Sequence, residues 1–260
     1  MIKKITRKSM LIRPSGRSTD FISPSFGYGC LYNCSYCYMK RHKDKGLDVA
    51  TNTGDILTAI NNHAFFTPVD KPNQTHAEFT TYDISCNEDF ALHAKHHEWE
   101  KTFEFFRDHP VAMASFATKY VNYDLLSYNP EGKVRIRFSL MPQHKSDLHE
   151  PKTSKIIDRL KAIDKFIDAG YDVHVNYSPI IVYDGWLEDY KDLFNLVNTH
   201  VKNKDKVLSE CIFLTHNLKK HTVNLSKHPE TEVDLWVLTK QEVKRSQYGG
   251  ENIRYKLGMK

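Results

Sequence analysis

The sequence predicts an α/β fold in which strands and helices alternate around a parallel sheet. Strand and helix patterns follow one another from residue 53 to residue 217, with lengths typical of βαβ units. Several candidate functional residues fall at the carboxyl ends of strands, where α/β barrels and open α/β sheets form their sites. The 260 residues suffice for one α/β barrel, and 40% hydrophobic with 27% charged residues is a globular composition.

The alternation of elements follows a polar, basic lead-in, residues 1–20, which we expect to be irregular. Residues 53–65 have amphipathic spacing and predict a helix, with Thr53 as a cap. The later patterns predict strands at 76–85, 113–120, 134–140, 171–180 and 210–217, and helices at 97–109, 154–170 and 187–201.

Three segments carry further local signals. Residues 134–140 alternate apolar and polar side chains, as a half-buried strand does. Helix 154–170 ends at Gly170, a residue type that suits a helix C-terminus. Residues 228–260 break the alternation, and a Gly-Gly turn at 249–250 between basic stretches predicts a small hairpin extension. We therefore divide the chain into 1–20, 21–227 and 228–260.

The charge and the cysteine content limit the class of function. The formal charge of +5 is compatible with a nucleic-acid partner without requiring one. No signal-peptide pattern and no bilayer-length apolar segment occurs, so we expect a cytoplasmic protein, in an infected cell if it is viral, with no membrane partner. Three of the five cysteines lie within eight residues, which indicates metal or redox chemistry rather than disulfides in a reducing compartment.

Cys30, Cys34 and Cys37 have the spacing Cys-x-x-x-Cys-x-x-Cys on a loop rich in glycine and aromatic residues. Three thiolates at this spacing can ligate three irons of a [4Fe–4S] cluster and leave the fourth iron open. S-adenosylmethionine (SAM) can chelate that iron, and its reductive cleavage yields a 5′-deoxyadenosyl radical that abstracts hydrogen from unactivated carbon. A zinc site is the alternative; it needs a fourth ligand, for which His42 is the nearby candidate.

The chain resembles the spore photoproduct lyase family of radical SAM enzymes, from about Phe21 to the C-terminus. The resemblance rests on SYCY at 35–38, ISCNED at 84–89, FATKY at 116–120, RIRFSL at 135–140, EPKTS at 150–154, the run at 169–194 and HPETEVDL at 228–235. It implies a partial TIM-like (β/α) barrel of the radical SAM type with a small C-terminal hairpin. It also implies a lyase that reverses the methylene-bridged thymine dimer in DNA.

The resemblance implies roles for individual residues. Cys86 matches the cysteine that returns a hydrogen atom to the thymine radical, and Tyr36 and Tyr38 match two tyrosines that relay the radical back so that SAM is regenerated. Positions like those lining the SAM pocket are Lys119, Ser139 and Ser178. The hairpin residues that would meet DNA phosphates are Arg245, Arg254 and Lys256. The implied partners are DNA with a thymine lesion or modified thymine and an electron donor such as flavodoxin or ferredoxin.

Simpler interpretations compete with these roles. A lone cysteine in a strand is usually a small buried residue, and we expect this of Cys211. His93, His96 and His97 have helical spacing that suits a metal site, but in so charged a segment we expect a solvated helix face.

One departure from the family leaves the identity of the substrate undecided. Asn87 and Glu88 stand where small hydroxyl residues are expected, which adds a carboxylate beside the site. Three other functions therefore remain. The chain could modify or rearrange a thymine-like base, as a viral enzyme would need. It could modify a peptide by radical chemistry, or bind nucleic acid without catalysis and use its cluster structurally.

Overall fold

A seven-stranded sheet forms the centre of the computed structural model, which describes residues 1–16, 18–41, 46–66, 70–227, 235–236, 238–245, 250–256 and 258. In spatial order its strands are β10 (Leu208–Phe213), β9 (Asp172–Ile180), β8 (Val134–Leu140), β7 (Ala112–Thr118), β6 (Thr80–Asp83), β3 (Phe21–Ile22) and β2 (Arg13–Pro14). Neighbours from β10 to β3 are parallel, and β2 pairs with β3 in the antiparallel sense.

Helices occupy the connections between these strands: α1 (Thr53–Phe66), α2 (Phe90–His93), α3 (Trp99–Asp108), α4 (Gln143–His149), α5 (Ile156–Asp168) and α6 (Trp186–His200). Their apolar faces pack on the sheet; Phe103 of α3 stacks on Phe116 of β7, and Phe166 of α5 contacts Phe138 of β8 edge-on. This burial of one face of each helix against the sheet is the main favourable term for the fold. The predicted alternation of strands and helices is present.

The end of α5 shows why its sequence stops the helix where predicted. Gly170 has a φ of 90°, a left-handed conformation that favours glycine. Its N–H donates to the carbonyl of Ile167, and the N–H of Tyr171 donates to the carbonyl of Phe166, each at 3.0 Å. These two bonds form a Schellman motif, which satisfies carbonyls that the helix end leaves free.

Strand β8 is buried along its whole length, so the predicted half-buried strand is wrong. Its polar side chains face the interior, where Arg135 donates to Asp172 at 2.7 Å and Arg137 donates to Asp83 at 2.8 Å. The alternation of residue types therefore corresponds to two buried faces of the strand. One face is apolar, and on the other the buried arginines form ion pairs, as expected for a central parallel strand.

Residues 1–20 are more ordered than the expected irregular lead-in. β1 (Ile2–Ile5) pairs in parallel with β5 (Gly46–Ala50), which in turn pairs with β4 (Gly27–Cys30) in the antiparallel sense. β2 lies in the same lead-in and extends the main sheet. The chain ahead of the cysteine loop is thus fastened to two sheets.

Cys211 is exposed, which corrects the expectation that it belongs to the core. The physical reason is the position of its strand. β10 is the edge strand of the seven-stranded sheet, and an edge strand has side chains that no further element covers.

A small C-terminal sheet contains the predicted hairpin. β12 (Gln241–Arg245) and β13 (Glu251–Tyr255) pair in the antiparallel sense, and β11 (His216–Asn217) pairs with β13. Residues 228–234 and Gly249 of the predicted turn lie outside the described residues. β11 and the helix α7 (Leu218–Lys227) precede the boundary predicted at 227/228, and the division there stays a prediction.

The small sheet is attached to the barrel through Tyr255, which is fully buried. Its hydroxyl accepts a hydrogen bond from the backbone N–H of Val182, just beyond β9, at 3.1 Å. Among the described helices, none combines the length and apolarity needed to cross a bilayer.

Candidate active site

A pocket of about 340 Å³ opens at the carboxyl end of the parallel sheet. Its walls are the ends of β6 and β7 with the segments that follow them, and the loop after β4. Seven residues singled out from the sequence line it: Cys30, Cys34, Tyr36, Cys37, Tyr38, Cys86 and Lys119. The fold thus brings together residues from three separate segments at the edge where parallel α/β sheets form their sites.

Ser139 and Ser178 are not among the residues that line this pocket. Ser139 is buried within β8, and its carbonyl accepts a hydrogen bond from Arg159 at 2.6 Å. Ser178 is half-buried near the end of β9. Their predicted contact with SAM stays a prediction.

The cysteine loop is held from outside by two histidines. The N–H of Leu31, next to Cys30, donates to Nε2 of His93 at 3.3 Å. Ser35, next to Cys34, makes two contacts with His149: its N–H donates to the carbonyl at 2.8 Å, and its hydroxyl lies 2.9 Å from Nδ1. These contacts fix the loop so that its thiols face the pocket.

The three thiols of the loop are free. Burial, with a contribution from Asp89, raises the pKa of Cys30 to about 12, and burial raises the pKa of Cys34 as well. Such thiols stay protonated unless a bound cation displaces the proton. The N–H of Tyr32 points at Sγ of Cys30 from 3.4 Å and can support a ligand sulfur.

The three thiols form a donor set of the kind that a cubane cluster takes. Within the part of the chain that the structure describes, no three His, Cys, Asp or Glu side chains converge on one metal-ion position. A zinc site needs such convergence, whereas a cubane cluster takes its three cysteines on three different irons. The donor set Cys30, Cys34 and Cys37 therefore fits a [4Fe–4S] cluster. The zinc candidate His42 lies outside the described residues.

Cys86 lies three residues beyond the end of β6 and faces the same pocket. Burial raises the pKa of its thiol, the charge of Asp83 raises it further, and Arg13 and Tyr38 act in the opposite direction. Nη2 of Arg13 lies 4.0 Å from Sγ, and Tyr38 lines the same pocket beside the thiol. The net effect keeps Cys86 as a neutral S–H at pH 7.

The two tyrosines of the loop have different surroundings. The hydroxyl of Tyr36 donates to the buried carboxylate of Glu150, which also accepts from Arg159 at 3.0 Å and lies 3.9 Å from Nζ of Lys119. The hydroxyl of Tyr38 lies beside Cys86 and 3.2 Å from Oδ1 of Asn87. Burial raises the pKa of both phenols well above the usual value, so both stay protonated.

A buried carboxylate–histidine cluster adjoins the pocket, which its carboxylate Glu88 lines, and sequence reasoning missed it. Oε2 of Glu88 accepts from Nδ1 of His93 at 3.0 Å and from Nε2 of His97 at 2.8 Å. The side chains of Glu88 and His93 are 0% exposed and that of His97 is 3% exposed, so the expected solvated face is wrong for these two histidines. The signal in the sequence that could have revealed this cluster is the carboxylate of Glu88 next to the site, because a buried charge needs hydrogen-bonding partners.

Gly27 in β4 leaves the space that the Glu88 carboxylate occupies. A Cβ atom at this position would lie 2.3 Å from a carboxylate oxygen of Glu88, which is closer than atoms can approach. Burial acts to raise the pKa of Glu88, but His97 and His93 outweigh it and lower the pKa below its ordinary value. Glu88 is therefore a carboxylate at neutral pH, and its partner His93 also holds Leu31 of the cysteine loop.

The basic residues predicted for the hairpin are spread over both strands of that hairpin. Arg245 is exposed at the end of β12. Nε of Arg254 lies 3.6 Å from Glu242, and Nζ of Lys256 donates to the carbonyl of Thr239 at 2.9 Å. None of the three lines the pocket. Their contact with DNA stays a prediction.

A cluster-binding cysteine loop over the carboxyl ends of a partial (β/α) barrel is the arrangement of radical SAM enzymes. The sequence profile of the spore photoproduct lyase family matches residues 4–258, and the chain belongs to this family. The chain is 27% identical over 260 residues to the spore photoproduct lyase of Bacillus subtilis (strain 168), covering 97% of this chain and 70% of that relative. The relative from Geobacillus sp. (strain Y412MC61) is 27% identical over 251 residues, with 94% and 70% covered.

Solved structures agree with this assignment. A spore photoproduct lyase complexed with dinucleoside spore photoproduct has 25% sequence identity and a TM-score of 0.85, covering 99% of this chain and 74% of that one. A substituted variant with bound AdoMet and the same dinucleoside has a TM-score of 0.87 at 24% identity, over 99% and 74% of the two chains. The predicted family, partial-barrel fold and enzyme class are confirmed.

Proposed function

We propose that this chain reverses the methylene-bridged thymine dimer in DNA. The observation that carries the proposal is the convergence of the three cluster cysteines, Cys86 and Tyr38 on one pocket. Cys30, Cys34 and Cys37 would hold the [4Fe–4S] cluster, with SAM beside it. When bound, the cluster and SAM supply a carbon-centred radical that removes one hydrogen atom from the dimer.

Cys86 is assigned the return of that hydrogen atom. After the methylene bridge breaks, one thymine is a carbon radical that lacks one hydrogen. The S–H bond of Cys86 breaks homolytically, the hydrogen atom forms a C–H bond on the thymine, and the unpaired electron stays on sulfur. This step needs a thiol rather than a thiolate, and burial with the nearby Asp83 supplies that condition by raising the pKa of Cys86.

Tyr38 is assigned the regeneration of the thiol. Its O–H can give a hydrogen atom to the sulfur radical and leave the unpaired electron delocalised over the phenol ring. The position of Tyr38 and Cys86 in one pocket supports a direct transfer. Tyr36 donates instead to Glu150, so the geometry favours a supporting role for it beneath Lys119; its relay role stays a prediction.

DNA would lie across the open face of the pocket. The dimer has to leave the base stack to reach Cys86, as in other enzymes that act on a base within a duplex. Arg245 and Lys256 of the hairpin are exposed and could contact phosphates. A flavodoxin or ferredoxin as electron donor and a cytoplasmic location remain predictions.

The test is an anaerobic reaction of the reconstituted, reduced enzyme with SAM and an oligonucleotide containing the dimer, followed by chromatography and mass spectrometry. We expect restored thymines with little SAM consumed. A Cys34→Ala variant should form no product, and Cys211→Ala, which removes an exposed cysteine, should behave as the wild type. An untouched dimer with 5′-deoxyadenosine released would refute lesion reversal and favour another thymine-like base.

A further inference from the structure

A second pocket, of about 150 Å³, lies on the other side of Cys86 and Asn87 from the main pocket. These two residues line both cavities, so they form a shared wall. The remaining lining comes from the N-terminal lead-in and from the segment after β3. A group bound in this second pocket would therefore lie next to the thiol of Cys86.

The chemistry of the second pocket is that of an anion site. Its polar side chains are Arg7, Ser9, Arg13, Ser23 and Ser25, and no carboxylate lines it. In the described part of the chain, neither guanidinium has an ion pair with a carboxylate. The hydroxyl of Ser23 donates to the carbonyl of Asp83 at 2.9 Å, so the lining offers an anion two positive charges and the hydroxyl groups of Ser9 and Ser25, with no carboxylate to balance them.

Arg7 has a donor that the protein itself does not use. Its Nε donates to the carbonyl of Ser25 at 3.1 Å, but its Nη2 is buried and has no hydrogen-bond partner among the described residues. Leaving a buried charged donor unsatisfied is costly. An anion in the pocket would remove that cost.

The backbone at the two arginines is held in place before any ligand binds. The N–H of Arg7 donates to Oδ1 of Asn52 at 2.7 Å, and Nδ2 of Asn52 donates back to the carbonyl of Arg7 at 3.0 Å. Arg13 lies on β2 and pairs with Ile22 of β3. The backbone is therefore fixed at both arginines, and the bond from Nε to Ser25 also fixes the Arg7 guanidinium, which lowers the entropy that this group loses when it binds an anion.

We infer that this pocket binds the phosphodiester that joins the two thymidines of the dimer, an inference that rests on the proposed function. Adjacent thymidines share one phosphodiester, which carries one negative charge and lies beside the bridged bases. Arginine binds phosphate oxygens through charge-assisted hydrogen bonds. Because Arg13 contacts both this pocket and Cys86, the bound phosphate would align the thymine radical with the thiol.

The test compares two forms of the lesion: the dinucleoside, which lacks the phosphodiester, and the dinucleotide, which has it. Binding is measured by calorimetry under anaerobic conditions on the enzyme with its cluster and SAM. We expect the wild type to prefer the dinucleotide by about tenfold to a hundredfold. Arg7→Gln and Arg13→Gln should each reduce this preference towards one, and Arg7→Lys should keep part of it.

Lys8→Gln is the matched control, because it removes one positive charge from an exposed neighbour that does not line the pocket. It should keep the wild-type preference. If Arg7→Gln weakens both ligands equally, Arg7 merely supports Ser25 and the inference is wrong; a wild type without preference overturns it as well.

Failure of the proposed function gives a different result, namely a wild type that binds neither lesion. The pocket is then tested with the undamaged thymidine dinucleotide. Equal binding of that dinucleotide to the wild type and to Arg7→Gln would overturn the anion site itself.

Discussion

Replacement of Glu88 by alanine tests whether the buried carboxylate–histidine cluster stabilises the fold. The carboxylate is fully buried and accepts hydrogen bonds from His93 at 3.0 Å and from His97 at 2.8 Å. Each hydrogen bond to a charged group contributes about 1.5–3 kcal/mol, and removing one partner of a buried pair costs about 3–5 kcal/mol. We expect Glu88→Ala to lower the free energy of unfolding by about 3–5 kcal/mol, and Glu88→Gln by less, because the amide keeps an acceptor oxygen.

The assay is urea unfolding followed by circular dichroism, at pH 7 and at lower pH. The pKa of Glu88 lies below its ordinary value in the folded state, so the carboxylate stabilises the fold above its unfolded pKa of about 4.3. This contribution is lost as the pH falls through the lower folded pKa. The difference between wild type and Glu88→Gln should therefore be largest at pH 7 and shrink below about pH 4.

Glu98→Ala is the matched control, because Glu98 is 57% exposed and pairs with Lys101 only at the surface, 3.6 Å away. It should change the unfolding free energy by less than about 0.5 kcal/mol. The reasoning is refuted if Glu88→Ala lies within about 1 kcal/mol of the wild type at pH 7.

Four further predictions follow from the site and the fold. Cys86→Ala should still cleave the dimer but give abnormal thymine products by mass spectrometry; normal products would refute the hydrogen-return role. Tyr38→Phe should give normal thymines in the first turnover and then consume SAM stoichiometrically, because the thiol is not regenerated. Gly170→Ala should destabilise the fold by about 1–3 kcal/mol in thermal unfolding, since φ is 90° and the new Cβ would meet Asn129 at 2.0 Å. Gly54→Ala, in an open position of α1, should instead stabilise it by up to about 1 kcal/mol.

The parts of the fold that depend on neighbouring residues could be predicted from the sequence. Helix 154–170 and its end at Gly170 follow from periodicity and from the left-handed conformation that glycine accepts. Exposure could not be predicted in the same way. The alternation of residue types in β8 predicted a half-buried strand, and the apolar surroundings of Cys211 in β10 predicted a buried side chain. Both predictions are wrong because the order of strands in the sheet decides which strand is central and which is an edge.

The cysteine spacing and the ordered motifs by themselves predicted the family, which is confirmed, and the three candidate cluster ligands, because ligands on one short loop need no distant residue to bring them together. Tertiary structure alone decided the surroundings of those ligands. Arg13 reaches Cys86 across 73 residues, and Tyr36 reaches Glu150 across 114. Contacts over such separations exist only once the parallel strands have aligned their carboxyl ends, so no local pattern in the chain encodes them.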